Sequence, residues 1–413
     1  MKETKFKDTE IGQIPEDWEV RTINSFCSVK TGPFGSMLHA EDYVAKGTPI
    51  VTTEHFKNGI LPLVGKDIPQ VGIEDLKRMS SYTLTKDDIV FSRVGSVDIN
   101  ALVTVRQKGW LFSGRVLRVR PFKQTDSLYL HYGLLKHSVR SDIVSRAVGL
   151  TMASINTKIL GETELSLPPL NEQHSIASAL TSIDNLISSL GKLIEKKKNI
   201  KQGAMQQLLT GKTRLKGFTE PWVYRKISEI ATTSSGGTPS RSIPNYYYGD
   251  IKWFTTTELK DNYLYDSVEH ITREALNNSS AKMFSANTIL MAMYGATIGK
   301  LGVLKEPSTT NQACCAIKCN DIVEIFLFYI LLYNRKSIIE KGCGAGQPNI
   351  SQAIVNELSF LVPPCEKEQQ AIANILSKMD NEITALKAKK TKYEAIKQGM
   401  MQQLLTGKIR LIS

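Results

Sequence analysis

Two stretches of this chain carry apolar residues at alternating spacings of four and three. In the first, Ile176, Leu180, Ile183, Ile187, Leu190 and Ile194 form one stripe; in the second, Ile372, Leu376, Met379, Ile383 and Leu386 keep the same register. That rhythm is the seam of a coiled coil, not the two-residue alternation of a strand. Each stretch follows a Pro-Pro pair, Pro168-Pro169 or Pro363-Pro364, which ends an extended segment and can open a helix. Each runs out at a glycine, Gly211 or Gly407, where a C-terminal cap would fall. A helix over residues 171–209 would be on the order of 57 Å long at about 1.5 Å per residue. Two such helices in one chain are expected to pair antiparallel, giving a pseudo-twofold molecule. Gly203 and Gly399 fall inside these helices, where each costs roughly 1 kcal/mol relative to alanine. Their presence in both is read as close packing against another backbone.

The remaining pattern is different. Short apolar runs, Ile89 to Phe91, Val116 to Val119, Ile251 to Phe254, Thr288 to Met293 and Ala316 to Lys318, read as strands. Leu128 to Val144 and Ile322 to Ile339 read as helical, and the apolar Phe326 to Tyr333 as a buried helix, far short of the ~20 residues that span a bilayer. These elements alternate without a regular βαβ rhythm, so the fold class is α+β. The expected layout is two α/β-type globular domains, 1–167 and 216–362, joined by helical segments 168–215 and 363–413.

The helical segments repeat one another at a shift of 196 residues: 172–215 and 368–411 share 24 of 44 positions, including IKQG and QQLLTGK. A period this long marks a duplicated unit, not a solenoid. The globular regions correspond weakly, through Trp18 and Trp222, Gly32 and Gly236, Ile89 and Ile289, Gly95 and Gly295. Each half is therefore a variable region followed by a nearly fixed one, and the two variable regions are expected to share a fold but present different surfaces.

Composition adds a partner. The 413 residues are 41% hydrophobic and 22% charged, which is globular, and the net charge of +12 suggests a polyanion, most commonly nucleic acid. The polar opening MKETKFKDTE has no signal-peptide character. The six cysteines form no C-x-x-C pair; Cys314, Cys315 and Cys319 are read as buried thiols of a reducing compartment, not as zinc ligands. No G-x-x-x-x-G-K-[ST] loop, amino-methyltransferase D/N-P-P-Y/F tetrapeptide or metal-ligand histidine spacing occurs, and Asp87-Asp88 reads as a turn. The Gly342–Asn349 stretch reads as a loop. The Lys196-Lys197-Lys198 run reads as a solvated helix face.

The segments PPLNEQHSIASALTSIDNLI and PPCEKEQQAIANILSKMDNEI, the two QQLLTGK endings, the opening IGQIPEDWEVRTI with its echo GFTEPWVYRKI, and SSGGTPS at 234–240 resemble the DNA specificity subunit of bacterial type I restriction–modification enzymes. The resemblance covers essentially the whole chain. It implies a non-catalytic, cytoplasmic (bacterial or archaeal) subunit that binds double-stranded DNA. One domain would read each half of a split, asymmetric target, with the helices as spacer. The helices would dock two methyltransferase (modification) subunits, joined by restriction subunits. S-adenosylmethionine, ATP and Mg are expected on those partners, none on this chain, and no membrane is involved. A free-standing DNA-binding regulator, a coiled-coil scaffold and an enzyme with an unrecognised site are the alternatives; the regulator would explain the charge and the duplication but not the near-identity of the helical segments.

Base or phosphate contacts are expected from loops after the first strand turns and from basic strand faces. In the first domain the candidates are Lys30, Ser36, Thr53, Lys57 and Arg93, with Arg115, Arg118 and Arg120 read as alternating along one strand face. In the second they are Ser240, Arg241, Tyr247, Thr256, Lys260 and Tyr294.

Overall fold

The computed structural model describes residues 4–33, 37–65, 67–149, 151–342 and 349–412. They form two compact units, residues 1–191 with 388–413 and residues 192–387. The boundaries fall inside two helices of 39 residues, Leu170–Leu208 and Glu366–Leu404. Each unit therefore holds a globular domain, part of one long helix and part of the other.

The globular domains share a plan. In the first unit, a sheet ordered Cys27–Thr31, Val116–Pro121, Ile89–Ser92, Asn100–Leu102 is antiparallel throughout. In the second, Ala231–Ser235, Cys314–Cys319, Ile289–Ala292 and Leu301–Leu304 repeat that order, with Asn262–Leu264 added in parallel at the edge. A smaller sheet accompanies each, with one parallel pairing: Thr48–Val51 with Leu111–Phe112, and Ile251–Phe254 with Thr309–Thr310. Antiparallel strands with helices on one side are the α+β arrangement the sequence suggested. The helical readings resolve into pairs, Ser127–Leu134 with His137–Ser145 and Glu324–Tyr333 with Arg335–Lys341.

Within each unit the two long-helix segments run antiparallel. In the first, Lys397 reaches Asp184 at 2.7 Å and Arg410 reaches Glu172 at 2.8 Å. In the second, Lys201 reaches Asp380 at 2.6 Å, Lys197 reaches Glu382 at 2.6 Å and Arg214 reaches Glu368 at 2.7 Å. The stripe splits its work. Ile176 and Leu180 pack with Met401, Leu404 and Leu405, and also with Trp18 and Tyr132 of the globular domain. Ile372, Leu376 and Met379 do the same with Met205, Leu208 and Leu209 in the second unit. Ile183, Leu190 and Ile383 are buried, and Ile187 and Leu386 half-buried.

The repeated polar residues have counterpart jobs. Gln173 donates to Pro168 O at 2.8 Å and accepts from Asp126 N at 2.9 Å; Gln369 donates to Pro363 O at 2.9 Å and accepts from Val323 N at 2.8 Å. The Tyr132 hydroxyl donates to Asp184 and that of Tyr329 to Asp380, each at 2.8 Å. Arg410 grips Glu172 through Nε and Nη2, both at 2.8 Å, as Arg214 grips Glu368 at 2.7 and 2.8 Å. The first clamp is the fuller one: Trp18 Nε1 also donates to Glu172, and Arg410 holds Asp17 as well, pulling the Asp17 pKa down, whereas Trp222 Nε1 has no partner among the described residues. Gly211 and Gly407 both have φ of 68°, the left-handed cap conformation expected of them.

A Cβ at Gly203 or Gly399 would meet nothing within 4 Å among the described residues, so the close backbone expected beside them is not supplied within either unit.

Glu172 and Glu368 are 1% and 0% exposed as side chains, so removing their guanidinium strands a buried charge. Arg410→Ala and Arg214→Ala are each expected to lose about 3–5 kcal/mol of stability, read by urea denaturation. Hydrogen exchange should place the loss in the unit that holds the residue. His131 Nδ1 donates to Asn100 Oδ1 (2.6 Å), and burial, with Lys397 next, lowers its pKa to about 4. It is neutral when folded, so its contribution is complete above the ordinary histidine range and is lost as pH falls towards 4. His131→Gln should flatten that part of the first unit's pH–stability profile; an unchanged slope would contradict the assignment.

Candidate nucleic-acid interface

In the first unit, strand geometry separates the candidate cations into buried and exposed. Leu117 and Val119 face a core with Leu130, Leu134 and Ile143, while Val116 faces Phe112, Val90 and Ala101. Arg118 and Arg120 share the face of Val116; Arg115 precedes the strand, so the three do not form one row. Arg118 is 6% exposed, stands over the Phe112 ring and has no partner for Nε among the described residues. Burial, then Arg120, lowers its pKa. Arg120 is held bidentate by buried Asp88 at 2.6 and 2.7 Å, which raises its pKa. Asp88 also accepts from Thr85 N at 2.7 Å, so its turn role carries an ion pair the sequence did not reveal. Lys30, opposite Arg118 in register, donates to Ser81 O at 3.0 Å and sits over Tyr82; burial, then Arg118 and Arg120, lowers its pKa. Arg93 ties Gly114 O (2.8 Å) and Ile155 O (3.3 Å), bracing the strand turns. Lys57 and Arg115 are the exposed cations of this set, and Thr53 opens the turn that leads to Lys57. Ser36 lies outside the described residues.

The second unit brings Ser240, Arg241 and Tyr247 together. The Arg241 guanidinium stacks 4.0 Å from the Tyr247 ring centroid and pairs with Glu269 at 2.5 and 2.8 Å. Tyr247 donates to Pro239 O at 2.7 Å. The tyrosine cluster splits by depth: Tyr246 is core, Tyr247 half-buried, and Tyr248 is 79% exposed. Thr256 and Lys260 flank a short turn whose Glu258 caps Thr255 N at 2.7 Å, leaving Lys260 exposed. Tyr294 is exposed and bridges to Asn349. Tyr265, 66% exposed, was not singled out from the sequence; it sits between the strands Asn262–Leu264 and Glu269–Ile271. Its only sequence signal was an aromatic beside turn residues.

The two domains differ where their folds agree. The register places Ser234 and Ala316 where the first unit has Lys30 and Arg118. The fold thus forms without those two cations, and the chemistry between the sheets is particular to each domain.

Burial pushes Cys314, Cys315 and Cys319 up to about 12, so they are neutral thiols. Among the described residues no group of His, Cys, Asp and Glu could hold a metal ion, and no helix is long and apolar enough to cross a membrane.

Two domains of one fold, variable in surface and each fastened to the same repeated helices, define a twin-module recognition protein. A family model described as "Type I restriction modification DNA specificity domain" matches residues 15–202 and again 219–398. The chain belongs to this family: it is a specificity subunit with two recognition domains, directed at a DNA target and not itself catalytic. It is 29% identical to the type I restriction enzyme MjaVIII specificity subunit of Methanocaldococcus jannaschii, over 99% of this chain and 97% of that one. A second subunit of that organism, the putative MjaX specificity subunit, is also 29% identical, over 99% and 98%. Among solved structures, the S subunit of a type I system from M. genitalium has a TM-score of 0.61 at 18% identity, covering 94% of this chain and 96% of that one. Another, described for assembly and conformational transition of the type I R-M system, scores 0.58 at 15% identity over 96% and 99%.

Exposed Lys57 and Lys260 are expected to meet phosphate. Alanine at either should weaken DNA binding across sequences and reduce the slope of log K against log salt by about 1. Arg93→Ala should instead lower the melting temperature of the first unit. A Lys57→Ala or Lys260→Ala protein with an unchanged salt slope would remove that residue from the interface.

Proposed function

We propose that each recognition domain reads one half of a bipartite, non-palindromic DNA target, that the long helices set the distance between the halves, and that the same helices dock two modification subunits. Those subunits would carry S-adenosylmethionine and methylate adenine; restriction subunits, using ATP and Mg, would join them. The chain would work in the cytoplasm of a bacterium or archaeon. The observation that carries this reading is the contrast between the repeats. Arg–Glu, Lys–Asp, Tyr–Asp and Gln–backbone contacts recur on matching residues of the two units. The domains they fasten expose different side chains, Ile60, Leu63 and Val64 in one and Tyr248, Tyr265 and Val268 in the other. Equivalent fixtures suit two copies of one partner, and unlike surfaces suit two unlike half-sites. A free-standing regulator would need unlike surfaces but not the duplicated fixtures.

Exchange of residues 216–362 for the corresponding domain of another specificity subunit is expected to change one half of the methylated target and leave the other intact. A change in both halves would contradict modular reading. Insertion of one helical turn near residue 190, with the matching insertion in the second helix, should lengthen the gap between half-sites or abolish methylation. Full activity on the original target would mean that the helices do not set spacing.

A further inference from the structure

Lys30 has no lysine opposite its place in the second sheet, yet that place is not left uncharged. Lys30 lies two residues before the turn at Gly32, with its Nζ 4.2 Å from the centroid of the Tyr82 ring. Ser234 holds the matching strand position, two residues before Gly236. Tyr82 has a match as well. It stands two residues before Leu84, whose N–H donates to Trp110 O at 2.7 Å; Lys282 stands two residues before Phe284, whose N–H donates to Ser308 O at 2.8 Å. Those two carbonyls directly precede the matching parallel strands Leu111–Phe112 and Thr309–Thr310. Lys282 Nζ donates to Ser234 Oγ at 3.0 Å. The ammonium has therefore moved from the strand in one domain to the facing loop in the other, and stayed between the same two segments.

The charges around it change together. Arg120, opposite Ser28, and Lys318, opposite Thr232, are equivalent by register. In the first domain Lys30, Arg118 and Arg120 share one carboxylate, Asp88. In the second, Ala316 and Thr288 stand in place of Arg118 and Asp88, leaving Lys282 and Lys318. Three cations against one carboxylate and two cations against none both leave two positive charges. Each lysine ammonium has three N–H donors. Lys30 gives one to Ser81 O and Lys282 one to Ser234 Oγ, so neither is used up by a carboxylate. Burial, then Arg118 and Arg120, holds the Lys30 pKa down, a repulsion that a bound anion would relieve.

We infer that this place is a phosphate seat common to both domains, where Lys30 in the first and Lys282 in the second each meet the DNA backbone. The inference rests on the proposed function and supplies the part of each reading surface that is independent of sequence. A side chain that reads bases must differ between unlike half-sites, whereas the backbone offers the same phosphate to both. A charge kept while its carrier and its neighbours are exchanged suits that constant partner. A cation kept for folding alone would stay with one side chain and one set of contacts, and Lys282 and Lys318 are exposed.

The test uses the full chain assembled with the modification subunits of its own system. Binding is followed by fluorescence anisotropy across salt, on a duplex carrying the target that genomic methylation defines and on a scrambled duplex of equal length. Lys282→Ala is expected to melt like wild type, to weaken both duplexes by the same factor and to reduce the slope of log K against log salt by about 1. Lys30→Ala should reduce the slope equally. Ser234→Lys added to Lys282→Ala returns the charge to the strand, as in the first domain, and should restore the slope. An unchanged slope in either single variant, or no recovery in the double variant, would overturn the shared seat and leave the proposed function standing. Loss of affinity for the target alone would make the lysine a base reader and overturn the inference equally. A wild-type assembly that binds both duplexes alike would overturn the reading beneath it.

Discussion

A buried carboxylate near the start of each long helix must be neutralised by an arginine from beyond the end of the other. Glu172 and Glu368 lie in the first turns of their helices, and Arg410 and Arg214 follow the capping glycines of the opposite segments. A charge taken out of water is tolerable only when a partner meets it with good geometry, and both pairs are bidentate. The arginine arrives correctly only if the helix before it is in register, and the glutamate is buried only if Trp18 or Trp222 of the globular domain stands nearby. Domain, helix start and helix end are thereby tied at one point in each unit. In the first unit that tie also reaches Asp17, 393 residues from Arg410 in sequence.

This fastening explains why the repeated segments tolerate so little change and the domains so much. The segment is constrained on two sides at once. Its first half packs on the domain it follows, and its second half completes the unit that contains the other domain. Within the domains only the inward residues are held, through strands whose order recurs in both. Loops such as those ending at Lys57 and Lys260, and exposed aromatics such as Tyr248 and Tyr265, are free of the packing that fixes the sheets.

Periodicity made the long helices legible, because a four-three stripe sustained over several turns has no competing interpretation. The α+β class and most strands were legible too, since Ile89–Ser92 and Val116–Pro121 are apolar runs bounded by turns. The interface was less so. Arg118 looked available because sequence shows which residues share a strand but not that a second sheet covers that face. Arg93 and Arg241 looked free because their carbonyl and carboxylate partners lie 21 to 62 and 28 residues away. Gly203 and Gly399 suggested close packing against another backbone; only the structure reveals that no described residue of the chain supplies it. A glycine's cost is visible in sequence, but not which neighbour repays it.

The most direct test of two-domain target recognition is modified-base sequencing of the source genome with this gene intact and with it deleted. The account predicts that one bipartite N6-methyladenine motif, with two unlike halves and a fixed gap, disappears on deletion. Methylation that is unchanged, or the loss of a single uninterrupted palindromic motif, would contradict it.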